Sequence, residues 1–394
     1  MNQNILHTNI QKYIIDQSNS SEEISNIVLK GSPFDNISIQ ELAQQIQSRR
    51  KIRDKLPTWY AKENIYYPPL LNLEQTSSEL TALYKSNIVS GKSLIDLTGG
   101  FGIDDYFFAK KMENVIHCEI NKELSDIAQH NFTALQQNNI KTYADNGLEV
   151  LNDFDYIDWI YVDPSRRHES KGKVFFLEDS IPNIPENLDF LFSKSDQILI
   201  KTSPLLDIRS GIRSLQYVKE IHVLAIKNEV KELLWILNKR EHQNVKIITI
   251  NIQKSKQQQF AFWLEDETKQ QVKLSPPQQF LYEPNAAILK SGGFLSIAKI
   301  LNLNKLHLHS HLYTSDTIID FPGRCFEIKA IYPYQKKALT KIGIDKANIT
   351  TRNFPESVAT LRKKLKIKDG GDTFLFFTTD NKNNKVMLLC NKIN

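Results

Sequence analysis

The sequence predicts an α/β protein with a doubly wound, mostly parallel sheet at its centre. Short apolar runs alternate with helical patterns through the middle of the chain, a glycine-rich turn follows the first run, and acidic residues end several of the runs. Alternating strands and helices favour a parallel sheet that is covered by helices on both faces. A helical region precedes this sheet, and a small α+β module follows it.

The apolar runs of the central region predict the strands of this sheet. Helices are expected at Ile103–Met112, Asn121–Asn138 and Glu229–Lys239, and Gln259–Leu264 is expected to add a strand at the sheet edge. The prolines of Ser275–Pro277 stop regular structure, so we expect a domain boundary there. The other predicted strands are Ser93–Leu97, Val115–Glu119, Lys141–Ala144, Ile157–Asp163, Gln197–Lys201, Glu220–Lys227 and Val245–Ile252.

The region before the sheet is expected to be mainly helical. Helices are predicted near Glu22–Leu29, Ser38–Leu56 and Gln75–Ser86, with prolines between them. The second helix contains the basic run Arg49–Lys55. This run is either an exposed helix face or a contact to phosphates.

The turn after the first strand predicts a nucleotide pocket. Gly99, Gly100 and Gly102 lie where a strand gives way to a helix, and glycines permit positive φ or close backbone approach at such a point. Glu119 ends the next strand, where these folds place a carboxylate on ribose hydroxyls. A dinucleotide fingerprint starting at Gly100 would require a third glycine at the position that Asp105 occupies. The sequence therefore argues against a pocket that binds the pyrophosphate of a dinucleotide.

A second motif follows the fourth strand. The run Ile157–Val162 is expected to be a buried strand, and Asp163, Pro164, Ser165, Arg166 and Arg167 come directly after it. The carboxyl end of a central strand is where such sheets hold their ligands.

Together these motifs resemble a class I S-adenosylmethionine-dependent methyltransferase with a Rossmann-like sheet. The resemblance covers roughly residues 90–264, and its motifs are Asp96 to Gly102, Glu119, Asp145 and Asp163-Pro164. It implies S-adenosyl-L-methionine as the cofactor. No metal is required, because methyl transfer is an in-line displacement that needs mainly alignment and the exclusion of water.

The resemblance also implies roles for the cofactor-binding residues. Asp96 would brace the glycine turn or reach the cofactor amino group through water, and Gly99, Gly100 and Gly102 would let the backbone approach the methionine and ribose portions. Glu119 would accept hydrogen bonds from both ribose hydroxyls. Asp145 would contact the adenine amino group, and its alternative role is to cap the helix that begins near Gly147.

The residues after the fourth strand are the expected reaction centre. In amino-methylating enzymes a similar Asp-Pro-Pro-Tyr sequence accepts hydrogen bonds from an exocyclic amine and stacks an aromatic ring on the base. Here Arg166 occupies the aromatic position, and a guanidinium can stack on a base or meet a phosphate. Asp163 would orient or deprotonate the acceptor nitrogen beside Pro164. Arg167 would hold a phosphate, unless the two arginines pair with surface carboxylates.

The basic charge of the chain is concentrated near its carboxyl terminus. Residues 324–368 contain twelve Lys and Arg against three acids, whereas the whole chain has a net charge of +5, so this segment carries +9 and the remainder −4. A compact module is predicted there, of the kind that binds RNA phosphates. The alternative is a solvated surface. Its predicted elements are strand Arg324–Ile331, helix Tyr334–Ile342, strand Asn348–Asn353, helix Pro355–Leu365, and strands Thr373–Thr379 and Lys385–Cys390.

This carboxyl-terminal region resembles the THUMP-like module of a group of uncharacterised bacterial methyltransferases. Glu283 to Ala287, together with Asp163 to Arg167, carries that resemblance, and an apolar helix is expected through Ile300. It implies an RNA substrate. The expected domains are a helical region over 1–89, the methyltransferase domain over 90–274, a small connecting domain over 275–322 and the basic THUMP-like domain over 323–394.

Composition adds broad expectations. Three scattered cysteines suggest neither disulfides nor a zinc site, and no leader or long apolar run is evident, so a cytoplasmic protein without membrane insertion is expected. His307, His309 and His311 would share a face if they lay on a strand, but metal binding is not expected. The predicted function is methylation of a base nitrogen of tRNA or rRNA. A non-catalytic RNA-binding protein with a vestigial pocket, or a methyltransferase for another substrate, is the alternative, and the sequence leaves the oligomeric state open.

Overall fold

The computed structural model describes residues 1–166, 176–254, 256–335 and 343–393. The chain forms two compact units. The first unit comprises Met1–Tyr217 and Trp235–Glu241, and the second comprises Val218–Leu234 and His242–Asn394. These units divide the chain differently from the four predicted domains, and that four-domain division stays a prediction.

The first unit begins with helices that pack around an apolar core. Its centre includes Ile46 and the fully buried Trp59, whose ring meets the edge of Tyr106 at a centroid distance of 4.7 Å. A capping box between Ser38 and Glu41 fixes the start of the longest of these helices. The helices are α1 (Thr8–Asn19), α2 (Ile24–Leu29), α3 (Ile39–Ile52), α4 (Pro57–Ala61), α5 (Leu70–Gln75) and α6 (Glu79–Ser86).

The first two arginines of the basic run make internal contacts, whereas Lys51 and Arg53 are exposed. Arg49 is buried, donates to the carbonyl of Tyr60 at 2.9 Å and stacks over the Tyr60 ring at 3.9 Å. Arg50 donates to the carbonyls of Gln17 and Glu22. These guanidiniums therefore satisfy backbone groups within the helical region, a role that only tertiary packing determines.

The parallel sheet of the first unit confirms the predicted Rossmann-like α/β class. Its strands follow the order β3-β2-β1-β4-β7, and each neighbouring pair is parallel. The carboxyl ends of these strands therefore lie at one edge. The strands are β1 (Ser93–Asp96), β2 (Asn114–Cys118), β3 (Ile140–Tyr143), β4 (Trp159–Val162) and β7 (Gln197–Thr202). Between β4 and β7 in the chain, β5 (Ser165–Arg166) and β6 (Ser180–Ile181) form a separate antiparallel pair. The helices are α7 (Ile103–Phe108), α8 (Lys122–Ala134), α9 (Gly147–Asn152), α10 (Ile184–Lys194) and α11 (Ile208–Ser214).

The predicted helix over Glu229–Lys239 is wrong. This segment is a strand, β9 (Glu229–Asn238), which follows β8 (Val218–Ile226). Lys227 and Asn228 have φ values of 50° and 65°, as a two-residue hairpin turn requires. Residues 232–237 are buried without interruption, so the segment lacks the alternation that would have marked it as a strand. Its Glu, Lys and Leu content favoured a helix, and burial in the sheet outweighed that propensity.

The second unit contains two sets of strands. β8 pairs in parallel with β10 (Lys246–Ile252), which pairs antiparallel with β11 (Gln257–Trp263), and the predicted edge strand is thereby confirmed. A further sheet has the order β13-β14-β12-β15-β18-β17-β16. Its strands are β12 (Phe280–Pro284), β13 (Asn304–Lys305), β14 (Tyr313–Ser315), β15 (Gly323–Pro333), β16 (Asn348–Arg352), β17 (Thr373–Thr379) and β18 (Lys385–Lys392).

The helices of the second unit are short. Those within the described residues are α12 (Leu264–Lys269), α13 (Ala286–Ser291), α14 (Phe294–Ile300) and α15 (Val358–Leu365). The expected apolar helix through Ile300 is divided, because Gly292 has a φ of +79° and ends α13. The predicted helix Tyr334–Ile342 falls mainly on residues 336–342, which lie outside the described residues. Among the helices that the structure describes, none has the length and apolarity needed to cross a lipid bilayer.

The three alternating histidines do not lie on a strand. They occupy the loop between β13 and β14, so the expected common face does not form. His307 bonds the side chains of Asn353 and Asn383, whereas His311 stacks on Phe294 at a centroid distance of 3.6 Å. Burial next to Lys305 lowers the pKa of His311 to about 4.

Candidate functional site

The turn after β1 is held by the aspartate that ends the strand. Asp96 is buried, and its Oδ1 accepts hydrogen bonds from the Thr98 N–H at 2.7 Å and the Thr98 hydroxyl at 3.1 Å. Burial, reinforced by the nearby Asp105, raises the pKa of Asp96 well above its usual range. The geometry gives Asp96 the bracing role that was one of its two expected functions.

Steric space explains the glycines of this turn. A Cβ at Gly99 would lie 2.2 Å from the imidazole of His117, and one at Gly102 would lie 2.3 Å from the Phe132 ring. Gly100, with a φ of +58°, shares a positive φ with Gly102 at +80°, but it differs because an added Cβ would meet only the Thr98 carbonyl oxygen, at 3.8 Å. Gly99 and Gly102 are thus packing positions, whereas Gly100 faces open space.

Glu119 lies beside the turn, at the end of β2. Its Oε2 accepts from the Gly100 N–H at 2.9 Å, and its Oε1 accepts from the Asn121 N–H at 2.8 Å. The structure therefore brings the second predicted acid onto the glycine turn. Ile120, the next residue, is an aliphatic side chain that is 76% exposed. Sequence reasoning missed Ile120, because no pattern distinguishes an exposed isoleucine at a strand end from a buried one.

Asp145 follows β3 and is exposed. The alternative that Asp145 caps a helix is wrong, because Asn146 is the N-cap of α9 and accepts from the Leu148 N–H at 3.0 Å. A Cβ at Gly147 would lie 2.5 Å from the Leu97 carbonyl oxygen, so this loop packs directly against the end of β1. Asp145 is thereby held near the turn and is free of the capping role.

Asp163 follows β4 and is paired with a lysine from the next strand. Its Oδ2 accepts from the Nζ of Lys201, near the end of β7. Burial raises the pKa of Asp163, while the Lys201 ammonium opposes that shift. Pro164 is buried beside it. Lys201 was predicted only as the last residue of a strand, because sequence does not reveal which strand lies next to β4.

Thr98 joins the two motifs, and sequence reasoning missed it. The Thr98 hydroxyl donates to Asp96 and accepts from the Asp163 N–H at 2.7 Å. One hydroxyl thus links the glycine turn to the residue expected to handle the acceptor. A threonine immediately before a glycine pair was the available signal, but its partner lies 65 positions away in sequence.

A group of buried charged residues lies within the same unit, around the first turn of α7. Asp104 accepts from Ser77 at 2.9 Å and Tyr161 at 2.7 Å and pairs with the fully buried Lys85 at 3.1 Å. Burial alone would raise the pKa of Asp104, but the ammonium groups of Lys85 and Lys201 outweigh it, and the pKa lies below its usual value.

Asp105 explains why the third glycine of a dinucleotide fingerprint is absent. Its Oδ2 lies 2.6 Å from the Nδ1 of His117, and both side chains are fully buried. Burial raises the pKa of Asp105 and lowers that of His117, which favours a neutral pair. The His117 ring in turn occupies the space next to Gly99. The aspartate therefore connects α7 to β2 below the turn.

Of the two arginines that follow Ser165, the structure describes the backbone of Arg166 only. The backbone of Arg166 lies in β5 and pairs antiparallel with Ser180 of β6. Arg167 lies outside the described residues. The expected roles of both side chains stay predictions.

Glu283, the acid of the motif Glu283 to Ala287, binds two arginines of the basic segment. Arg324 donates to Glu283 through Nε at 2.7 Å and also through Nη2, and Arg352 donates through Nη2 at 2.9 Å. Glu283 is buried, and it is the cross-strand partner of Arg324. Two of the twelve basic residues therefore serve an internal ion pair. Within the described residues, no group of three or more His, Cys, Asp or Glu is arranged to hold a metal ion.

Comparison with known proteins places the chain in a family. The crystal structure of a "putative methyltransferase" from Porphyromonas gingivalis W83 superimposes with a TM-score of 0.90 at 33% identity, and the alignment covers 100% of this chain and 99% of the other. The chain belongs to the class I methyltransferases with a THUMP-like domain. Family models match this methyltransferase over residues 323–392 as THUMP domain-like and over residues 280–322 as a ferredoxin-like domain.

Other solved structures match only part of the methyltransferase. An rRNA methylase from Streptococcus thermophilus aligns at 14% identity and a TM-score of 0.31, covering 41% of this chain and 94% of its own. A "putative methyltransferase" from Streptococcus mutans, solved in complex with SAH, aligns at 13% identity and a TM-score of 0.30, covering 41% of this chain and 96% of its own. These low scores carry no further argument. The search of curated proteins found no match.

Proposed function

We propose that this methyltransferase uses S-adenosyl-L-methionine to methylate a base nitrogen of RNA, with tRNA or rRNA as the substrate class. The observation that carries the proposal is the single hydroxyl of Thr98, which joins the Asp96 turn to Asp163 at one sheet edge. A cofactor held on the turn and an acceptor held at Asp163 would therefore be neighbours.

The residues around the turn fit an adenosine-bearing cofactor. Gly99, Gly100 and Gly102 would let the backbone approach the ligand. Because Gly100 has no side chain, the open space in front of it would be available to the cofactor. Glu119 would accept from the ribose hydroxyls, the exposed Ile120 would pack on the adenine face, and Asp145 would accept from the adenine amino group. When bound, the cofactor would supply an electrophilic methyl carbon on its sulfonium.

Asp163 would act on the acceptor nitrogen. A carboxylate has a second oxygen available for hydrogen bonding, so Asp163 can accept from an N–H of the base while Lys201 holds the first oxygen. Its raised pKa makes it a stronger base than an ordinary aspartate, which suits removal of the proton that the nitrogen loses. Lys201 orients the carboxylate, Pro164 fixes the backbone, and Arg166 and Arg167 would contact the base or a phosphate.

The RNA assignment is supported by the THUMP-like domain and by the charge of its segment. Residues 324–368 carry +9 in sequence. Within the described part of this segment, Glu283 holds Arg324 and Arg352, whereas Lys346, Lys363, Lys366 and Lys368 are exposed. Exposed lysines on one module suit the binding of phosphates. We also propose the four-domain division and a cytoplasmic location, where the free thiols of Cys118, Cys325 and Cys390 would stay reduced.

Calorimetry with S-adenosylhomocysteine tests the cofactor assignment. Gly100→Asp projects a side chain into the open space before the turn, so we expect the fold to survive and the binding heat to disappear. Gly31→Asp is the matched control, because Gly31 also has a positive φ, +76°, with nothing within 4 Å of an added Cβ. Equal heats in both variants would contradict the assignment.

A further inference from the structure

A small pocket lies in the second unit, between β10, β11 and the helices α12 and α14. Its volume is about 220 Å³, below the roughly 300–1,000 Å³ typical of drug-sized ligand pockets. The size suits one planar ring system. Its lining includes Lys246, Phe262, Trp263, Asp266, Ser296 and Ile300.

One wall of the pocket is an exposed indole. Trp263 is 45% exposed, although an indole is among the side chains that gain most from burial. Its cross-strand partner is Lys246, whose ammonium lies 5.8 Å from the centroid of the indole ring. Ile300, on the same pocket, is 57% exposed. An aromatic face beside a cation is the combination that binds an unpaired base and its phosphate.

Two further lining residues, Ser296 and Asp266, are polar. The Oγ of Ser296 is buried and has no hydrogen-bond partner among the described residues, and Ser296 as a whole is 2% exposed. Because that Oγ is shielded from solvent, the exposed Asp266 is the one of these two residues that a ligand can reach. Asp266 adds a carboxylate that can accept from an amino group.

The pocket is held in shape by its own framework. The Glu267 carboxylate of α12 accepts from the N–H groups of Leu295 and Ser296 at 2.8 and 2.7 Å, which ties α12 to the start of α14. A Cβ at Gly293 would lie 2.5 Å from the Phe262 ring, so α14 packs directly on β11. A preformed pocket lowers the ordering cost of binding.

We propose that this pocket receives one unpaired nucleobase of the RNA substrate, stacked on Trp263. The inference rests on the proposed function. Asp266 would accept from an exocyclic amine, and Lys246 would meet the adjoining phosphate. The second unit then contributes a base contact in addition to the phosphate contacts of its basic segment.

Tryptophan fluorescence of the full chain tests this proposal. All four tryptophans lie within the described residues, and Trp59, Trp159 and Trp235 are at most 3% exposed, so quenching by an added ligand reports mainly on Trp263. We expect a short single-stranded RNA oligonucleotide to quench the emission saturably and the same sequence as a duplex to quench it much less.

Binding of the end-labelled oligonucleotide, measured by anisotropy, separates the two proposals. Trp263→Ala is expected to weaken binding about tenfold, the range for loss of one base stack, and Trp263→Phe to restore most of it. Tyr156→Ala removes an aromatic side chain that is 55% exposed in the first unit and is the matched control. Wild-type binding that Trp263→Ala leaves unchanged would overturn the pocket alone, whereas no wild-type binding to any RNA would overturn the RNA substrate itself. Heats with S-adenosylhomocysteine should be equal in all these variants.

Discussion

The two units use ion pairs in different ways. Around the candidate site of the first unit the pairs are buried: Lys85 and Asp104 lie within the core, and Lys201 reaches Asp163 with 12% of its side chain exposed. Elsewhere in that unit, pairs such as Lys51–Glu74 are exposed. In the second unit the pairs reach the surface, since Lys364 is about half exposed in its pair with Glu356. A buried pair requires both partners, whereas an exposed pair can exchange its partner for water. The difference indicates that charge fixes the site in the first unit and remains available for binding in the second.

The ion pairs of Glu283 are intermediate in solvent exposure. Its carboxylate is buried, but Arg324 and Arg352, its two partners, are 40% and 34% exposed. The carboxylate is thus held as a core group while the guanidiniums can still be hydrated. The pair fixes β12 to β15 and leaves fewer arginines for RNA than the sequence count suggested.

The largest effect is expected from Lys85→Met. Removal of the ammonium leaves the Asp104 carboxylate buried without its main counter-charge, which costs about 3–5 kcal/mol of the free energy of unfolding. Chemical denaturation measures this cost. The double variant Lys85→Met with Asp104→Asn should recover much of it, and a double variant as unstable as the single would contradict the role of the buried charge.

The buried pair of Lys85 and Asp104 also affects how the free energy of unfolding depends on pH. The folded-state pKa of Asp104 is depressed, so its ionisation contributes stability that is present above the unfolded pKa and is lost as the pH falls. Lys85→Met should therefore flatten the acid side of the curve of unfolding free energy against pH. An unchanged acid side would show that the pair contributes nothing to this dependence.

Glu283→Gln is expected to have an intermediate effect. Two charge-assisted interactions lose their acceptor charge, but both arginines can reach water, so about 1.5–3 kcal/mol is expected. Thermal unfolding of the full chain measures it. A loss as large as that of Lys85→Met would contradict the partial exposure that distinguishes this pair.

Thr98→Val should affect activity more than stability. The variant keeps the shape of the side chain but leaves the Asp163 N–H without its acceptor, which costs about 1–3 kcal/mol if the group stays dry. We expect kcat to fall while the affinity for S-adenosylhomocysteine changes little, and Thr98→Ser to restore kcat. Equal losses in kcat and in affinity would place Thr98 in cofactor binding alone.

Lys364→Met is the smallest expected change and the surface counterpart of Lys85→Met. Because its pair with Glu356 is open to solvent, the melting temperature should stay the same within error. RNA affinity, measured by anisotropy, should fall and its salt dependence should weaken if this lysine neutralises a phosphate. A drop in melting temperature comparable to that of Lys85→Met would remove the contrast between the units.

Much of the site could be predicted because parallel strands end at one edge. Apolar runs that end in Asp96, Glu119 and Asp163 were visible in sequence, and the sheet brings all three ends together. Lys201 as the partner of Asp163 could not be predicted, because the pair depends on β7 lying next to β4. Thr98 was missed for the same reason, since its second partner comes from another strand.

The errors in the fold have a common origin. The segment over Glu229–Lys239 has strong helix formers, but its burial between neighbouring strands decides its conformation. Likewise, Arg49 was predicted as part of a basic run and Glu283 as part of a family motif. Tertiary packing instead gives Arg49 the carbonyl of Tyr60 and Glu283 the guanidinium of Arg352 as partners. Local propensity predicts elements, whereas long-range pairing decides where charges lie.

Asp163 offers the most direct test of the central claim, that one site joins the cofactor turn to an RNA base. Purified protein and labelled S-adenosylmethionine would be incubated with RNA from a strain that lacks this methyltransferase. We predict that label appears in RNA, is lost in Asp163→Asn and is retained in the exposed control Asp155→Asn. Because the pKa of Asp163 is raised, the rate should decline on acidification at a higher pH than it would with an ordinary aspartate as the base. Label transfer that Asp163→Asn leaves intact, or no label in any RNA, would contradict the account.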